Sequence, residues 1–381
     1  MPASNVTMRD IYLARRRIAS IGYAQDRSIG GVYPERSRGT QGRSIARRTP
    51  LVHSPLLTER LGSSDFGETS VSSVEPLSRA VCLKLESLQE TGSFKIRGAA
   101  NKMLSLTAGE KARGVVTGSS GNHGQAVAYV ASRLGVNAVI CISARVPSNK
   151  ADAIRRFGAE VVVYGKSYDE SVSHALRLAE ERGLTMIDSF DDPFVIAGQG
   201  TIGLELLEDW PEIDTAIVPL AGGGLLGGIA LALKSASPTI RVVGVSMERA
   251  PVMYYSLKAG APIEMEEEET IAHALAGGLG RDNQYTFRMV QEYVDDVVLV
   301  SEEAIAEAMA FALETHHLVV EGAGAVGIAA LLHQRVREVG RNVAVVVSGS
   351  NVEIPLLVKI AQDQSGRDDQ DLTGFRKPVR S

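Results

Sequence analysis

The stretch Ile217-Val218-Pro219-Leu220-Ala221-Gly222-Gly223-Gly224-Leu225-Leu226-Gly227-Gly228 decides how the chain folds. A short apolar run of strand character ends in a glycine turn, and the turn opens into a segment with helical spacing from Leu226 to Lys234. Glycines at such a turn let main-chain N–H groups converge on an anion, helped by the positive end of the following helix. A tight turn with no ligand uses the same residues, so both readings stand on this segment alone. No Gly-Lys-Ser/Thr follows, which excludes a Walker loop. The glycine spacing departs from the usual dinucleotide fingerprint, although Glu248 stands at about the distance of that fingerprint's acidic residue.

The same alternation repeats outward. Val81 to Leu85, Val115-Val116, Ala138 to Ile142, Glu160 to Tyr164, Ala216 to Pro219, Val242 to Val245 and Val343 to Val347 read as strands. Between them the spacing predicts helices over Lys95 to Leu106, Gly124 to Arg133, Ser148 to Phe157, Tyr168 to Arg182 and Leu226 to Lys234. Further helices are expected at Tyr285–Tyr293, Glu302–Glu314 and Gly324–Arg337. Short Val/Ile runs alternating with helices point to an α/β fold with parallel sheets covered by helices on both faces. The 381 residues exceed one ordinary core and suggest two domains. Met8 to Ala19 reads as an N-terminal helix. Ser20 to Ser44 and roughly Ser63 to Arg79 lack any period and read as loosely held insertions, and the tail from position 363 as frayed.

Composition closes off several classes. A net charge of −5 gives no electrostatic case for nucleic acid. No run of 18 apolar residues is long enough to span a membrane, and the first residues have no apolar signal core. Cys82 and Cys141 sit among apolar residues and read as free thiols, which places the chain in the reducing cytoplasm.

Three more loops carry polar chemistry. Thr117-Gly118-Ser119-Ser120-Gly121-Asn122-His123-Gly124 lies between a strand and a helix. Its hydroxyls, amide and imidazole suit a carboxylate held at a helix N-terminus, or an ordinary N-cap. Glu90-Thr91-Gly92-Ser93-Phe94-Lys95-Ile96-Arg97-Gly98 puts a lysine at a helix start, against the macrodipole. Such a lysine is either a surface residue or an amine with a lowered pKa. Ser348-Gly349-Ser350-Asn351 follows the last strand. All four loops fall at the carboxyl ends of strands, where open α/β sheets gather their ligands.

With these four motifs in this order, the chain resembles the fold-type II pyridoxal-phosphate enzymes, in the threonine/serine dehydratase and serine racemase branch. The similarity runs from about Thr49 to Ala361. The resemblance implies a two-domain fold of the tryptophan synthase β kind. Residues 49–113 and 190–362 would form a large cofactor-binding domain and 114–189 a small mobile one, with 1–48 and 363–381 outside both. It implies pyridoxal 5'-phosphate, bonded to Lys95 and packed against Phe94. Asn122 would contact the ring's phenolic oxygen, and the cup from Ala221 through Gly222, Gly223 and Gly224 to Leu225 would hold the phosphate. Ser348 would face the pyridine nitrogen. Ser119, Ser120 and His123 would hold the substrate carboxylate, with Lys95 and Ser120 as proton-transfer groups. The implied activity is conversion of a small β-hydroxy amino acid, such as threonine or serine, to a 2-oxo acid and ammonia. A racemase on the same scaffold and a cofactor-binding regulator without turnover are the alternatives. Tyr285 to Val290 resembles a subgroup associated with hydroxyectoine breakdown. Many relatives place a divalent cation near the position of Glu248, but no second carboxylate follows it here, so no metal site is expected. A dimer or tetramer is expected from the family.

Overall fold

The computed structural model describes residues 6–24, 44–63, 79–280 and 282–365. Two sheets organise them. The larger has six strands in the order β1 (Leu51–His53), β2 (Ala80–Leu85), β10 (Asn342–Val347), β7 (Thr215–Pro219), β8 (Arg241–Met247) and β9 (Asp296–Val300). The smaller orders β5 (Glu160–Val163), β4 (Ala138–Ile142), β3 (Val115–Gly118) and β6 (Thr185–Met186). Every pairing is parallel except β1 with β2, an antiparallel edge on an otherwise parallel sheet.

The central strands are apolar along their length because both faces are covered. β4 (AVICI) and β7 (TAIVP) are buried at every position, and β10 at all but Asn342. One face of the large sheet packs on helices Glu302–His316 and Gly322–Leu332 through Val345, Ile305, Met309 and Ile328. The other packs on Gly224–Ala236 through Val218, Leu226 and Ile229. The small sheet is sandwiched likewise, with Ile140 and Val127 on one side and Cys141, Ala175 and Leu178 on the other.

Several elements depart from the sequence reading. The first helix runs to Ala24, five residues into the stretch read as an insertion. Positions 25–43 and 64–78 lie outside the described residues. The helix expected to reach Arg337 stops at Leu332, with His333 leaving helical geometry and Gln334 at φ 51°. Positions 363–365, expected to be frayed, belong to helix Ile354–Ser365, which packs on Glu302–His316, and positions 366–381 lie outside the described residues.

Helix Pro193–Asp209 escapes sequence analysis because its glycines read as breakers and its apolar residues show no one-sided stripe. It is buried from Val195 to Leu206 without interruption. Its glycines serve close approach to its neighbours. A Cβ on Gly228 would lie 2.5 Å from the Ile196 carbonyl, and one on Gly200 would lie 2.9 Å from the Gly228 carbonyl. The backbones of Pro193–Asp209 and Gly224–Ala236 therefore cross in direct contact.

Candidate active site

The four polar loops meet at the carboxyl ends of β2, β3, β7 and β10. Two are zipped together by main chain. Phe94 N–H donates to the Ser348 carbonyl at 3.1 Å, Ser350 N–H donates to Gly92 at 2.8 Å, and Ser93 bridges to Gly349. A third is tied to them by side chains. Asn122 Nδ2 donates to Glu321 Oε1 at 2.7 Å, and Asn351 Nδ2 donates to Asn122 Oδ1 at 2.7 Å.

The fourth loop is reached through a segment that sequence analysis passed over, Ile187 to Asp192. Lys95 Nζ donates to the Ser189 carbonyl at 2.8 Å. The Phe190 ring lies where a Cβ on Gly222 would be, 2.5 Å from that point, and its carbonyl lies 2.6 Å from where a Cβ on Gly224 would be. The carboxylate of Asp188 accepts from the N–H groups of Phe190 and Asp191 and shapes the turn. Asp191 accepts from Gln284, Tyr285 and Thr286 N–H and so fixes the start of helix Thr286–Tyr293. Asp192 caps Pro193–Asp209. Asp192-Pro193 is itself a helix-start signature that could have revealed the segment.

Lys95 is the first residue of its helix and lies 5.3 Å from the centroid of the Phe94 ring. Burial lowers its pKa to about 8, against the opposing pull of Asp188 and Glu321. Near neutrality about a tenth of the amine is therefore neutral, far more than at the ordinary lysine value. Glu321 is pushed up to about 7, chiefly by burial, while the Asn122 hydrogen bond, Lys150 and Lys95 pull it down. Sequence analysis missed Glu321. Its signal was a lone acid between the apolar Val319-Val320 and a Gly/Ala-rich helix.

His123 is buried, and its Nε2 faces the Ile187 carbonyl at 3.0 Å, so that nitrogen carries the proton. Burial and then Lys95 push its pKa down to about 3. The ring is neutral, and the orphaned Nδ1 offers an acceptor. Ser119 Oγ accepts from Gly121 N–H at 3.4 Å, while Ser120 has no side-chain partner among the described residues. Ser348 is buried and donates a long hydrogen bond, 3.4 Å, to Ala323.

The glycine turn is built to receive an anion. Gly223 sits at φ 88°, which turns the chain into helix Gly224–Ala236. The first bond of that helix runs from Gly227 N–H to the Gly223 carbonyl at 2.7 Å. The N–H groups from Gly222 to Leu226 are left without a helical acceptor, and no other protein acceptor faces them among the described residues. A phosphate fits this set. The buried amine of Lys95 on the neighbouring wall fits an aldehyde-bearing ring.

The residues 43–349 match the family of pyridoxal-phosphate dependent enzymes. The chain belongs to the pyridoxal-phosphate dependent enzymes. Within that family it is 42% identical over 318 residues to an L-threonine ammonia-lyase of Thermotoga maritima, which covers 84% of this chain and 75% of that protein. It is 40% identical over 282 residues to the catabolic L-threonine dehydratase of Escherichia coli K12, covering 74% and 85%. The structure of maize serine racemase superposes with a TM-score of 0.79 at 32% identity, covering 95% of this chain and 99% of that one. This pyridoxal-phosphate dependent enzyme thus lies in the threonine dehydratase and serine racemase branch, and its fold is the fold-type II architecture.

Two further features lie apart from the rim. A cavity of about 700 Å3 is lined by residues including Thr49, Leu51, His53, Cys82 and Trp210, none of them from the four loops. Glu248 faces Arg335 at 3.8 Å, and no three His, Cys, Asp or Glu side chains cluster to hold a metal among the described residues. Among those residues no helix is long and apolar enough to cross a membrane.

Proposed function

We propose that this protein is a threonine/serine ammonia-lyase that converts a small β-hydroxy amino acid to a 2-oxo acid and ammonia. One observation carries the reading. The Lys95 amine, with its pKa lowered to about 8, is held to Ser189, whose neighbour Phe190 packs on a glycine turn with free N–H groups. The likeness to threonine ammonia-lyases at 40–42% identity supports it.

Bound pyridoxal phosphate supplies an electron sink beside the substrate Cα. The roles assigned to the chain's own residues are part of this proposal. Gly222, Gly223 and Gly224 N–H groups, flanked by Ala221 and Leu225, would hold the phosphate. Phe94 would pack on the ring, and Asn122 would donate to its phenolic oxygen. Ser119, Ser120 and the main chain of His123 hold the substrate carboxylate at the helix start. The His123 ring offers an acceptor rather than a donor, so it does not grip the carboxylate itself. Lys95, as a neutral amine, takes the proton from Cα. Ser348 would face the ring nitrogen with a hydroxyl, which would not keep that nitrogen protonated as a carboxylate would. A bound cofactor in that setting would supply a weaker electron sink, suited to elimination of the β-hydroxyl. In the racemase reading, the hydroxyl of Ser120 would return a proton to the other face of Cα.

We assign 114–189 as a small mobile domain, with residues 49–113 and 190–362 as the large one. The protein is read as cytoplasmic, and as a dimer or tetramer. A hydroxyectoine-derived amino acid stays a candidate substrate on the strength of Tyr285 to Val290. Incubation with threonine, serine, hydroxyaspartate and that analogue, scored for ammonia, 2-oxo acid and D-amino acid, tests the proposal. Equal yields of ammonia and 2-oxo acid are expected, with the cofactor's absorbance band lost in Lys95→Ala. D-amino acid as the main product, or no ammonia from any of the four, overturns the lyase reading.

A further inference from the structure

Asn351 has two N–H groups, and both are spent. One goes to the Thr91 carbonyl at 2.8 Å and the other to Asn122 Oδ1 at 2.7 Å. A main-chain carbonyl only accepts, so the Thr91 contact fixes which end of the Asn351 amide is nitrogen. The end of Asn122 that faces Asn351 must then be oxygen. The nitrogen end of Asn122 turns the other way, where Glu321 Oε1 takes one of its two hydrogens at 2.7 Å. The second hydrogen has no protein acceptor among the described residues.

The glycines of two motifs make room for this arrangement. A Cβ on Gly92 would lie 2.7 Å from Asn351 Oδ1, and a Cβ on Gly349 would lie 2.1 Å from Glu321 Oε1. Glu321 is anchored as well, its N–H donating to the Gly349 carbonyl at 3.1 Å. The three side chains come from both bodies of the molecule. Asn122 opens a helix of the small-sheet body, while Glu321 and Asn351 stand on the large one.

We infer that Asn351 and Glu321 are positioning residues that lock the Asn122 amide in one of its two flip states, leaving a single N–H to point at the cofactor's phenolic oxygen. The inference rests on the proposed contact between Asn122 and that oxygen. With the opposite flip, Asn122 would present a carbonyl to an oxygen that carries negative charge, and attraction would become repulsion. The lock also joins the two bodies at the site itself.

A mutant cycle on cofactor binding tests this. Cofactor-free protein is titrated with pyridoxal phosphate, and Kd and the absorbance maximum of the bound cofactor are read for Asn351→Asp, Asn122→Ala and the double variant. Aspartate cannot donate to Asn122 Oδ1, so Asn351→Asp is expected to raise Kd about tenfold or more and to move the absorbance maximum. In the Asn122→Ala background the same change is expected to alter Kd by less than about twofold, because there is no amide left to orient. An equal rise in both backgrounds, or no rise with Asn122 present, overturns the inference while leaving the lyase reading in place. Unchanged affinity in Asn122→Ala alone overturns the assigned Asn122 contact as well. If Asn351→Asp does not fold, Glu321→Ala run through the same cycle gives the same coupling, with the same outcomes deciding.

Discussion

Lys95 and Glu321 carry displaced pKa values of opposite consequence. The Lys95 amine titrates near 8 in the folded protein against an ordinary 10.5, so the unfolded chain binds more protons between those values. Stability contributed by this group therefore rises with pH through that window. Glu321 titrates near 7 against an ordinary 4.5, so the folded state binds more protons between them, and its contribution falls as pH rises from 4.5 to about 7. The fall amounts to about 3 kcal/mol at most. Between about pH 5 and about pH 7, urea unfolding of the cofactor-free protein should show the parent losing stability relative to Glu321→Gln. The opposing rise from His123, whose pKa burial lowers to about 3, is common to both proteins and cancels in that difference. The same change with pH in parent and variant would remove Glu321 as a source.

Helix Lys95–Ser105 is held from behind by a buried ionic network. Arg97 meets Glu86 Oε1 at 2.7 Å and Glu205 Oε1 at 2.6 Å, and donates to Thr201 and the Arg47 carbonyl. Lys84, fully buried in β2, reaches Glu205 at 2.7 Å and the Thr49 carbonyl at 2.7 Å. The network continues through Asp209, Arg48 and Glu208 to Arg15 of the first helix. Removing one member leaves buried charge uncompensated. Arg97→Met is expected to cost about 3–5 kcal/mol in chemical denaturation, and a loss below about 1 kcal/mol would show the network to be dispensable. The glycine crossing between Pro193–Asp209 and Gly224–Ala236 makes a sterically different prediction. Gly228→Val drives methyl groups into the Ile196 carbonyl and should lower stability by about 1–3 kcal/mol or prevent folding. Unchanged thermal unfolding would mean that the two helices can separate freely.

At the scale of the whole chain, described residues flank both ends of the stretch expected to be an insertion after the first helix. Helix Met8–Ala24 packs Ile11 and Ala14 into a cluster with Ile196 and Leu231, and Ser44 Oγ donates to the Ile18 and Ala46 carbonyls. Deleting Ser20 to Ser44 would cut into both. Replacing 25–43 by a short Gly/Ser linker keeps them, and a change in the length of a chain connection costs little in closure entropy. That variant is expected to retain ammonia release and to unfold within a few degrees of the parent. Loss of folding would show that the segment is part of the core.

The alternation of buried Val/Ile runs with helices, and the four glycine- and serine-rich loops at strand ends, were legible in the chain. Each is local, written in a period or a turn chemistry that neighbouring residues share. Helix Pro193–Asp209, the Ile187–Asp192 bridge, Glu321 and the Arg97 network were not. Their reasons for being where they are lie on other elements: a glycine is there for a crossing backbone, and a buried acid for an amide some 200 residues away. Which way the Asn122 amide points, and what protonation Lys95 keeps, were likewise decided only when folding removed water and brought distant partners within hydrogen-bond reach.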